Sequence, residues 1–215
     1  MIDHEKLGPN SVAGIGVTTA LARVFEQNPG AQPALIAEIH HWLAQYKKGK
    51  TECPDGASVV HAFQLAMDKL VAAAAEKQMV SCSRGCSHCC YIEVHITPDE
   101  ADLLLMMIKQ NHIDIDWAKL THQAKATRWQ QLDYKARGCV FLGDQGECRA
   151  YDYRPMACRK YMVGSPPEKC NSNKYPTGKT ILLTANHAEA MASALFSATG
   201  TKTLPKQLLA RKEIK

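Results

Sequence analysis

Four cysteines lie within nine residues of this chain, in the segment Cys82-Ser-Arg-Gly-Cys86-Ser-His-Cys89-Cys90. Thiolates held this close repel one another, and a soft cation placed between them removes the repulsion and supplies binding free energy. Gly85 and the small serines of the segment let the backbone turn tightly around a central ion. The spacing C-x3-C-x2-C-C therefore predicts a metal-binding loop.

A second group of cysteines follows further along the chain. The turn signal Asp144-Gln-Gly146 predicts that Cys139 and Cys148 face each other across a hairpin-like loop. Pro155 suits the start of a helical turn that would present Cys158. We expect thiols from both stretches to converge on one metal centre, with Cys170 behind the others. The predicted ligand pool is Cys82, Cys86, Cys89, Cys90, Cys139, Cys148, Cys158 and Cys170.

The spacing predicts a transition metal but leaves its identity open between zinc and an iron–sulfur cluster. The paired C-x2-C motifs of a zinc ribbon and the C-x2-C-x2-C-x3-C-P run of bacterial ferredoxins are both absent from the sequence. One four-thiolate site would leave half of the pool unused, so two sites or one cluster with bridging thiolates are alternatives. His88 and His95 are close enough in sequence to replace a thiol, or they are simple loop residues. Cys53, alone in the loop 50–57, is interpreted as a free cysteine.

Several arginines flank these cysteines. A zinc ion bound by four thiolates leaves a net charge of about −2, which nearby cations offset. We expect one or more of these arginines to donate N–H hydrogen bonds to sulfur or to loop carbonyls. The alternative is solvated arginines, or ion pairs with Asp144, Glu147 and Asp152. The arginines are Arg84, Arg149, Arg154 and Arg159.

The order of these motifs resembles the YkgJ-type cysteine-cluster family, which is described as a zinc- or iron-chelating domain. The resemblance spans about residues 80–175 and rests on the first cysteine loop, Cys139-x-Phe-Leu, Cys148-x-x-Tyr-Asp and Arg154-Pro155-x-x-Cys158-Arg159. It implies metal binding, and we expect a protein that holds a zinc or iron–sulfur centre in a structural, redox or metal-handling role. A similar cysteine set in flagellin lysine N-methylases implies an alternative function, that of a cluster-dependent protein-modifying enzyme. One feature departs from the family. Cys148 is followed by Arg-Ala-Tyr, where the family commonly has an aliphatic residue before the tyrosine.

Composition limits the other functions. A chain of 215 residues can bury a real hydrophobic core, so metal is not needed merely for it to fold. The formal net charge is +5, and residues 201–215 hold five lysines and arginines against one glutamate. The rest of the chain is therefore nearly neutral, which argues against a nucleic-acid partner and favours a solvated basic tail.

The cysteines also bear on the compartment. Nine cysteines, two of them adjacent, fit poorly with a disulfide framework. The N-terminal residues show no secretory pattern, and no apolar run is long enough to cross a membrane. We therefore expect a cytoplasmic protein with reduced thiols and a bound metal ion, and a protein partner stays open.

Periodicity predicts a mainly α fold: a helical body with irregular cysteine-rich loops and at most short strands. Thr97-Pro98-Asp99-Glu100 is a strong helix start, and Gly49 and Gly200 are expected to end helices. Three regions follow: N-terminal helices over 1–79, a cysteine-cluster domain over 80–175, and a C-terminal helix with its basic tail over 176–215. The predicted helices cover 11–28, 33–48, 58–79, 97–110, 116–136 and 185–198, the last capped by Thr184, and short strands cover 91–96 and 181–183.

Three other signals are weak. Gly178-Lys179-Thr180 resembles the end of a phosphate-binding loop, but Asn173 occupies the position of the required first glycine. A zinc-containing nucleic-acid module would need a basic helix with interleaved aromatic residues beside the thiols. A Cys–His hydrolase would need one cysteine marked as the nucleophile, and the sequence marks none.

Overall fold

The computed structural model of the chain describes residues 10–12, 15–175 and 180–214. Helices dominate this part of the chain and its strands are short antiparallel pairs, so the prediction of a mainly α fold is confirmed. Among these helices, none combines the length and the hydropathy that crossing a membrane requires. The α-helices are α1 (Thr19–Gln27), α2 (Gln32–Glu52), α3 (Gly56–Ala75), α4 (Pro98–Gln110), α5 (Trp117–Lys125), α6 (Tyr134–Arg137), α7 (Met156–Arg159), α8 (Asn186–Thr199) and α9 (Leu204–Lys212).

The described strands pair in three small antiparallel sheets. The first is a local hairpin, whereas the other two bring the C-terminal part back onto the cysteine-rich part. The pairs are β1 (Asn10–Val12) with β2 (Ile15–Val17), β3 (His95–Ile96) with β6 (Lys202–Thr203), and β4 (Met162–Val163) with β5 (Leu182–Leu183).

Two hydrophobic cores hold these elements. The first lies between α1, α2, α3 and α8, where Leu21, Ile39 and Met67 are buried against the alanine-rich face of α8. Alanines take little space, so α8 can approach α2 closely. The second lies between α4, α5 and α9 and contains Leu120 and Phe141. Burying side chains of this size contributes roughly 1.5–3 kcal/mol each, and both cores lie outside the cysteine loops for the most part.

Helix α4 joins the two cores and begins with the predicted cap. The Thr97 hydroxyl accepts a hydrogen bond from the Glu100 N–H at 3.2 Å, and a Glu100 carboxylate oxygen accepts from the Thr97 N–H at 2.9 Å. The other carboxylate oxygen of Glu100 accepts from the Met156 N–H at 2.7 Å. Burial raises the pKa of Glu100 in spite of these bonds. The capping box therefore also anchors α7, which carries a predicted ligand.

Replacing Thr97 with alanine is expected to destabilise the protein by about 1–2 kcal/mol, the upper part of the range for losing an N-cap, because Thr97 and Glu100 are both buried. Urea unfolding with an unchanged slope would measure it. Thr121→Ala is the matched control, since the exposed Thr121 hydroxyl only donates to the Trp117 carbonyl within α5; we expect a change below about 0.5 kcal/mol. Equal effects of the two changes would contradict the anchoring role.

The predicted bounds of three helices are wrong. The first helix begins at Thr19 rather than residue 11, because Asn10–Val12 and Ile15–Val17 form a hairpin and Thr18 provides the cap. Helix α2 continues through Gly49 to Glu52, and the Cys53 N–H donates to the Gly49 carbonyl. Helix α3 spans Gly56–Ala75, not 58–79, since the Asp55 side chain caps its first turn. Predictions from local helix propensity alone placed each of these ends incorrectly.

The segments around the cysteines are less regular than predicted. The strand expected over 91–96 is reduced to His95–Ile96, because His88–Tyr91 forms a 3₁₀ turn. The helix expected over 116–136 stops at Lys125 and resumes as α6. Between them, the Trp129 indole N–H donates to the Tyr91 carbonyl at 2.9 Å. This tertiary contact competes with a continuous helix.

The C-terminal region differs from prediction at two places. Thr184 does not cap α8, which begins at Asn186 without a side-chain cap, while Gly200 with φ +68° ends the helix as predicted. The expectation of a solvated basic tail is wrong, because α9 packs on α4 and α5 with Leu208 fully buried. Arg211 pairs with Asp102, and the ammonium group of Lys212 lies 3.8 Å from the centre of the Trp117 ring.

Candidate metal centre

The two cysteine stretches meet in the folded chain. The Cys139 N–H donates to the Cys90 carbonyl at 2.8 Å, so the backbones of the two stretches are in direct contact. Leu142 and Cys148 form an isolated antiparallel bridge, with a narrow loop between them. Gly146 in this loop has φ +83°, which glycine adopts without strain. Cys139 and Cys148 therefore lie on the two arms of the predicted hairpin-like loop.

Cys89 and Cys90 are held by the 3₁₀ turn His88–Tyr91. Gly85, with φ +91°, reverses the chain before it. The Cys90 N–H donates to the Ser87 carbonyl at 2.9 Å, which closes the turn. Small and flexible residues thus let four cysteines follow one another on a tightly turning backbone, as the spacing predicts.

Cys158 is presented by the single turn of α7. Pro155 precedes the helix, and the Cys158 N–H donates to its carbonyl at 2.9 Å. The first N–H group of this turn, that of Met156, is bonded to the buried Glu100 carboxylate. Cys158 is therefore positioned by α4 as well as by its own turn.

Seven cysteines surround one cavity of about 360 Å³, and they come from both stretches. Tyr161 and Arg154 also line its wall. Cys170 lies behind this set in a 3₁₀ turn that packs against His88–Tyr91, and Cys53 is exposed in its loop. Neither His88 nor His95 belongs to the described residues that line the cavity. The lining cysteines are Cys82, Cys86, Cys89, Cys90, Cys139, Cys148 and Cys158.

The thiols differ in environment from the mouth of the cavity to its interior. Burial raises the pKa of Cys139 to about 11 and that of Cys158 well above its ordinary value. Cys82, by contrast, is exposed. A hydrogen bond from the Cys90 thiol, aided by the nearby Arg154 cation, lowers the pKa of Cys89, and the same bond raises the pKa of Cys90. The other six cysteines of the cavity wall are half-buried, so Cys82 is the most accessible thiol of the set.

The donor set suits a soft metal. Thiolates are the preferred ligands of zinc and of iron–sulfur clusters. Within the part of the chain that the structure describes, no three Cys, His, Asp or Glu side chains already form a ligand set around one point. The sulfur atoms line a cavity and do not converge on one point. Cysteine side chains would therefore have to rotate toward a metal ion to complete its coordination.

The arginines make the predicted contacts with loop carbonyls. Arg149 donates to the Val140 carbonyl at 2.7 Å, and Arg154 donates to the Tyr151 carbonyl at 2.9 Å. Arg159 donates to the Arg154 carbonyl at 2.8 Å. These bonds fix the backbone between the cysteines. The guanidinium groups of Arg84 and Arg154 also lie over the Tyr151 ring, at 5.0 and 4.1 Å from its centre.

Sequence reasoning missed two residues that support the site from α3. Asp68 forms ion pairs with Arg159 and, at 3.6 Å, with Arg154, while Gln64 accepts from Arg159 at 3.2 Å. The Arg159 side chain is only 1% exposed. Asp68 lies one turn beyond Gln64 on a helix rich in apolar residues, and this polar pair at i,i+4 spacing was the available signal. Helix α3 of the N-terminal region therefore contacts the cysteine loops directly.

Residues 81–175 match the family model CxxCxxCC, which is described as a putative zinc- or iron-chelating domain. The match includes all eight predicted ligands and confirms the resemblance that their spacing indicated. This part of the chain is therefore similar to the cysteine-cluster domains that the family model describes. No curated protein and no solved structure matches the chain. Helices α1, α2, α3, α8 and α9 lie outside the matched region.

Proposed function

We propose that the protein binds zinc or iron through cysteine thiolates in the 360 Å³ cavity and handles this metal, taking it up and releasing it. One observation carries the proposal: seven cysteines from two separate stretches line a single cavity. Cysteines without a common role would have no reason to gather there. The description of the matched family supports the same two metals.

A handling role is favoured over a purely structural one by two features. The hydrophobic cores around Ile39 and Leu120 are built mainly from helices outside the cysteine loops, which add a few residues such as Phe141, so the chain has far more core than a small zinc finger that folds only with metal. Cys82 is exposed at the mouth, where a thiol can exchange metal with a donor or acceptor. A closed structural site, by contrast, has four protein ligands and needs no additional exposed thiol.

The protein's own groups prepare the site for metal. Bound metal would supply the positive charge that holds several thiolates together, and each thiol would release its proton on binding. Arg154, near Cys89 and Cys148, offsets the remaining negative charge. Asp68 and Arg159 hold the loop that carries Arg154. Metal affinity is therefore expected to depend on this loop as well as on the thiols.

Anaerobic purification followed by metal analysis and an absorption spectrum tests the proposal. We expect at least one zinc or iron per chain, lost when the protein is treated with a strong chelator and regained on adding the metal. Broad visible absorption would favour iron–sulfur over zinc, because zinc has a filled d shell and gives no such bands. A folded protein that contains no metal and takes up neither zinc nor iron(II) would reject the proposal.

A cluster-dependent enzyme is the second candidate, and one observation favours it. A larger cavity, of about 950 Å³, shares Ala157, Tyr161 and Met162 with the wall of the thiol cavity. A substrate bound there would lie next to the metal centre. Calorimetry with S-adenosylmethionine would test the version that resembles the methylases, and an absence of heat at millimolar concentration would argue against it.

A further inference from the structure

Arginines, and not acidic residues, accompany the seven cysteines in the wall of the thiol cavity. Among the described residues that line it there is no aspartate, glutamate or lysine. A hydrated metal ion is itself a cation, so this wall repels it while the thiols are still protonated. The wall instead favours a guest that carries negative charge. The lining arginines are Arg84, Arg137, Arg154 and Arg159.

Three of these arginines already have acceptors inside the protein. Arg137 donates to two backbone carbonyls just before α6, at 2.8 and 2.9 Å. Arg159 is bonded to Asp68 and to backbone carbonyls. Arg154 donates to the Tyr151 carbonyl at 2.9 Å and pairs with Asp68 at 3.6 Å. These guanidinium groups therefore hold the protein's own chain.

Arg84 is different, because it is exposed and its guanidinium group has neither a hydrogen-bond acceptor nor a carboxylate partner in the described part of the chain. It lies over the Tyr151 ring, 5.0 Å from the ring centre. Arg154 lies over the same ring at 4.1 Å. Two like charges therefore share one aromatic side chain, and an anion bound beside them would relieve their repulsion.

Arg84 stands at the opening of the cavity. It is both exposed and part of the cavity wall, and the same is true of Cys82, two residues before it. Gly85 follows with φ +91°, and a Cβ atom added there would meet no atom within 4 Å, so this side of the loop is open. A guest that enters here from solvent meets the Arg84 guanidinium and the Cys82 thiol together.

We propose that the metal enters and leaves this cavity in a small anionic chelate, a carboxylate of which is bound by Arg84 and Arg154. We call these two side chains with the Tyr151 ring the arginine clamp. A planar guanidinium group can bond a carboxylate through two parallel N–H groups. The cavity of about 360 Å³ falls in the range of about 300–1,000 Å³ that is typical of small-ligand sites. This inference rests on the proposed function, because it names the form in which the metal is exchanged.

The transfer itself is a ligand exchange at the metal. The sulfur of Cys82 bonds to the metal as one donor atom of the chelate leaves, and the thiol proton passes to the released donor or to solvent. Further thiols of the wall repeat this exchange until the chelate has no bond to the metal. The metal keeps its oxidation state, so the step needs neither an oxidant nor a reductant, and release is the reverse reaction.

Cobalt(II) provides the test, because it substitutes for zinc and absorbs visible light when thiolates bind it. Metal-free protein is mixed anaerobically, at low ionic strength, with the anionic cobalt nitrilotriacetate complex or with a cationic cobalt complex of a neutral polyamine. Arg84→Gln should slow loading from the anionic complex by about tenfold, the low end of electrostatic steering, and should not slow loading from the cationic one. Added salt should reduce the difference.

Two further measurements complete the design. Arg23→Gln is the matched control, since Arg23 is an exposed arginine that does not line the thiol cavity, and it should change neither rate. The wild-type protein also gives a result that needs no variant. Tricarballylate, a weakly chelating tricarboxylate, should occupy the arginine clamp and slow loading from the nitrilotriacetate complex, whereas its uncharged triamide should not.

The possible failures are distinguishable. If neither complex loads the protein, and aqueous zinc and iron(II) do not bind either, the proposed function itself fails. If both complexes load it, and Arg84→Gln slows both equally or neither, the arginine clamp fails while metal binding stands. Inhibition by a glutamate-rich peptide but not by tricarballylate would overturn the assignment to a small chelate. Circular dichroism identifies a variant that does not fold, and the wild-type inhibition then decides the question.

Discussion

Replacing Cys139 or Cys158 with serine is expected to weaken metal binding by more than about 100-fold. Both thiols are half-buried in the cavity wall, and a serine hydroxyl is a harder ligand that stays protonated at neutral pH. Changing residues that merely support a metal ligand already costs 10–100-fold in affinity, so loss of a ligand should cost more. Competition with a chelator of known affinity measures the change.

Cys53→Ser is the matched control, because Cys53 is the one cysteine that lies outside both stretches and it is exposed. Its affinity should equal that of the wild-type protein. Thermal unfolding of the metal-free variants separates lost ligation from lost folding. Wild-type affinity in both Cys139→Ser and Cys158→Ser would show that the interior of the cavity does not bind the metal.

Replacing Asp68 with asparagine is expected to destabilise the metal-free protein by about 3 kcal/mol. Removing one partner of a buried ion pair costs roughly 3–5 kcal/mol, and the lower end applies because Asp68 is 39% exposed. The Arg159 guanidinium would remain buried with only neutral acceptors, the Asp152 and Arg154 carbonyls and Gln64. At 2–4 °C per kcal/mol for a chain of this size, the Tm should fall by about 6–12 °C.

A surface ion pair provides the comparison for this prediction. Lys48 and Glu52 lie 3.7 Å apart on α2, with side chains 67% and 65% exposed. Glu52→Gln should change stability by less than about 0.5 kcal/mol. Asp68→Asn should also weaken metal binding, because Arg154 loses its anchor on α3. Similar Tm values for the two variants would mean that α3 does not stabilise the cysteine loops.

Local features of the fold could be predicted from the sequence. The capping box at Thr97 and Glu100, the helix end at Gly200 and the turn before Cys158 all depend on residues within one or two turns of each other. The cysteine spacing likewise contains the information that a tight loop exists. In these cases the local preference and the tertiary structure agree, so short-range reasoning is sufficient.

Long-range contacts explain what could not be predicted. The break after α5 depends on a bond between Trp129 and Tyr91, and the support of Arg159 depends on Asp68, 91 positions away. The packing of α9 depends on Leu208 finding the core beside α4. No periodicity in the separate segments specifies these partners. For the candidate site, spacing indicated which cysteines belong together, but not the depth of each thiol or the role of α3.

X-ray absorption at the edge of the bound metal, measured on anaerobically purified protein, tests the central claim most directly. If thiolates of the cavity bind the metal, the first coordination shell consists of sulfur, at about 2.3 Å for zinc. A double variant Cys139→Ser and Cys158→Ser should show fewer sulfur ligands in this shell. A first shell of only nitrogen and oxygen in the wild-type protein would contradict the account.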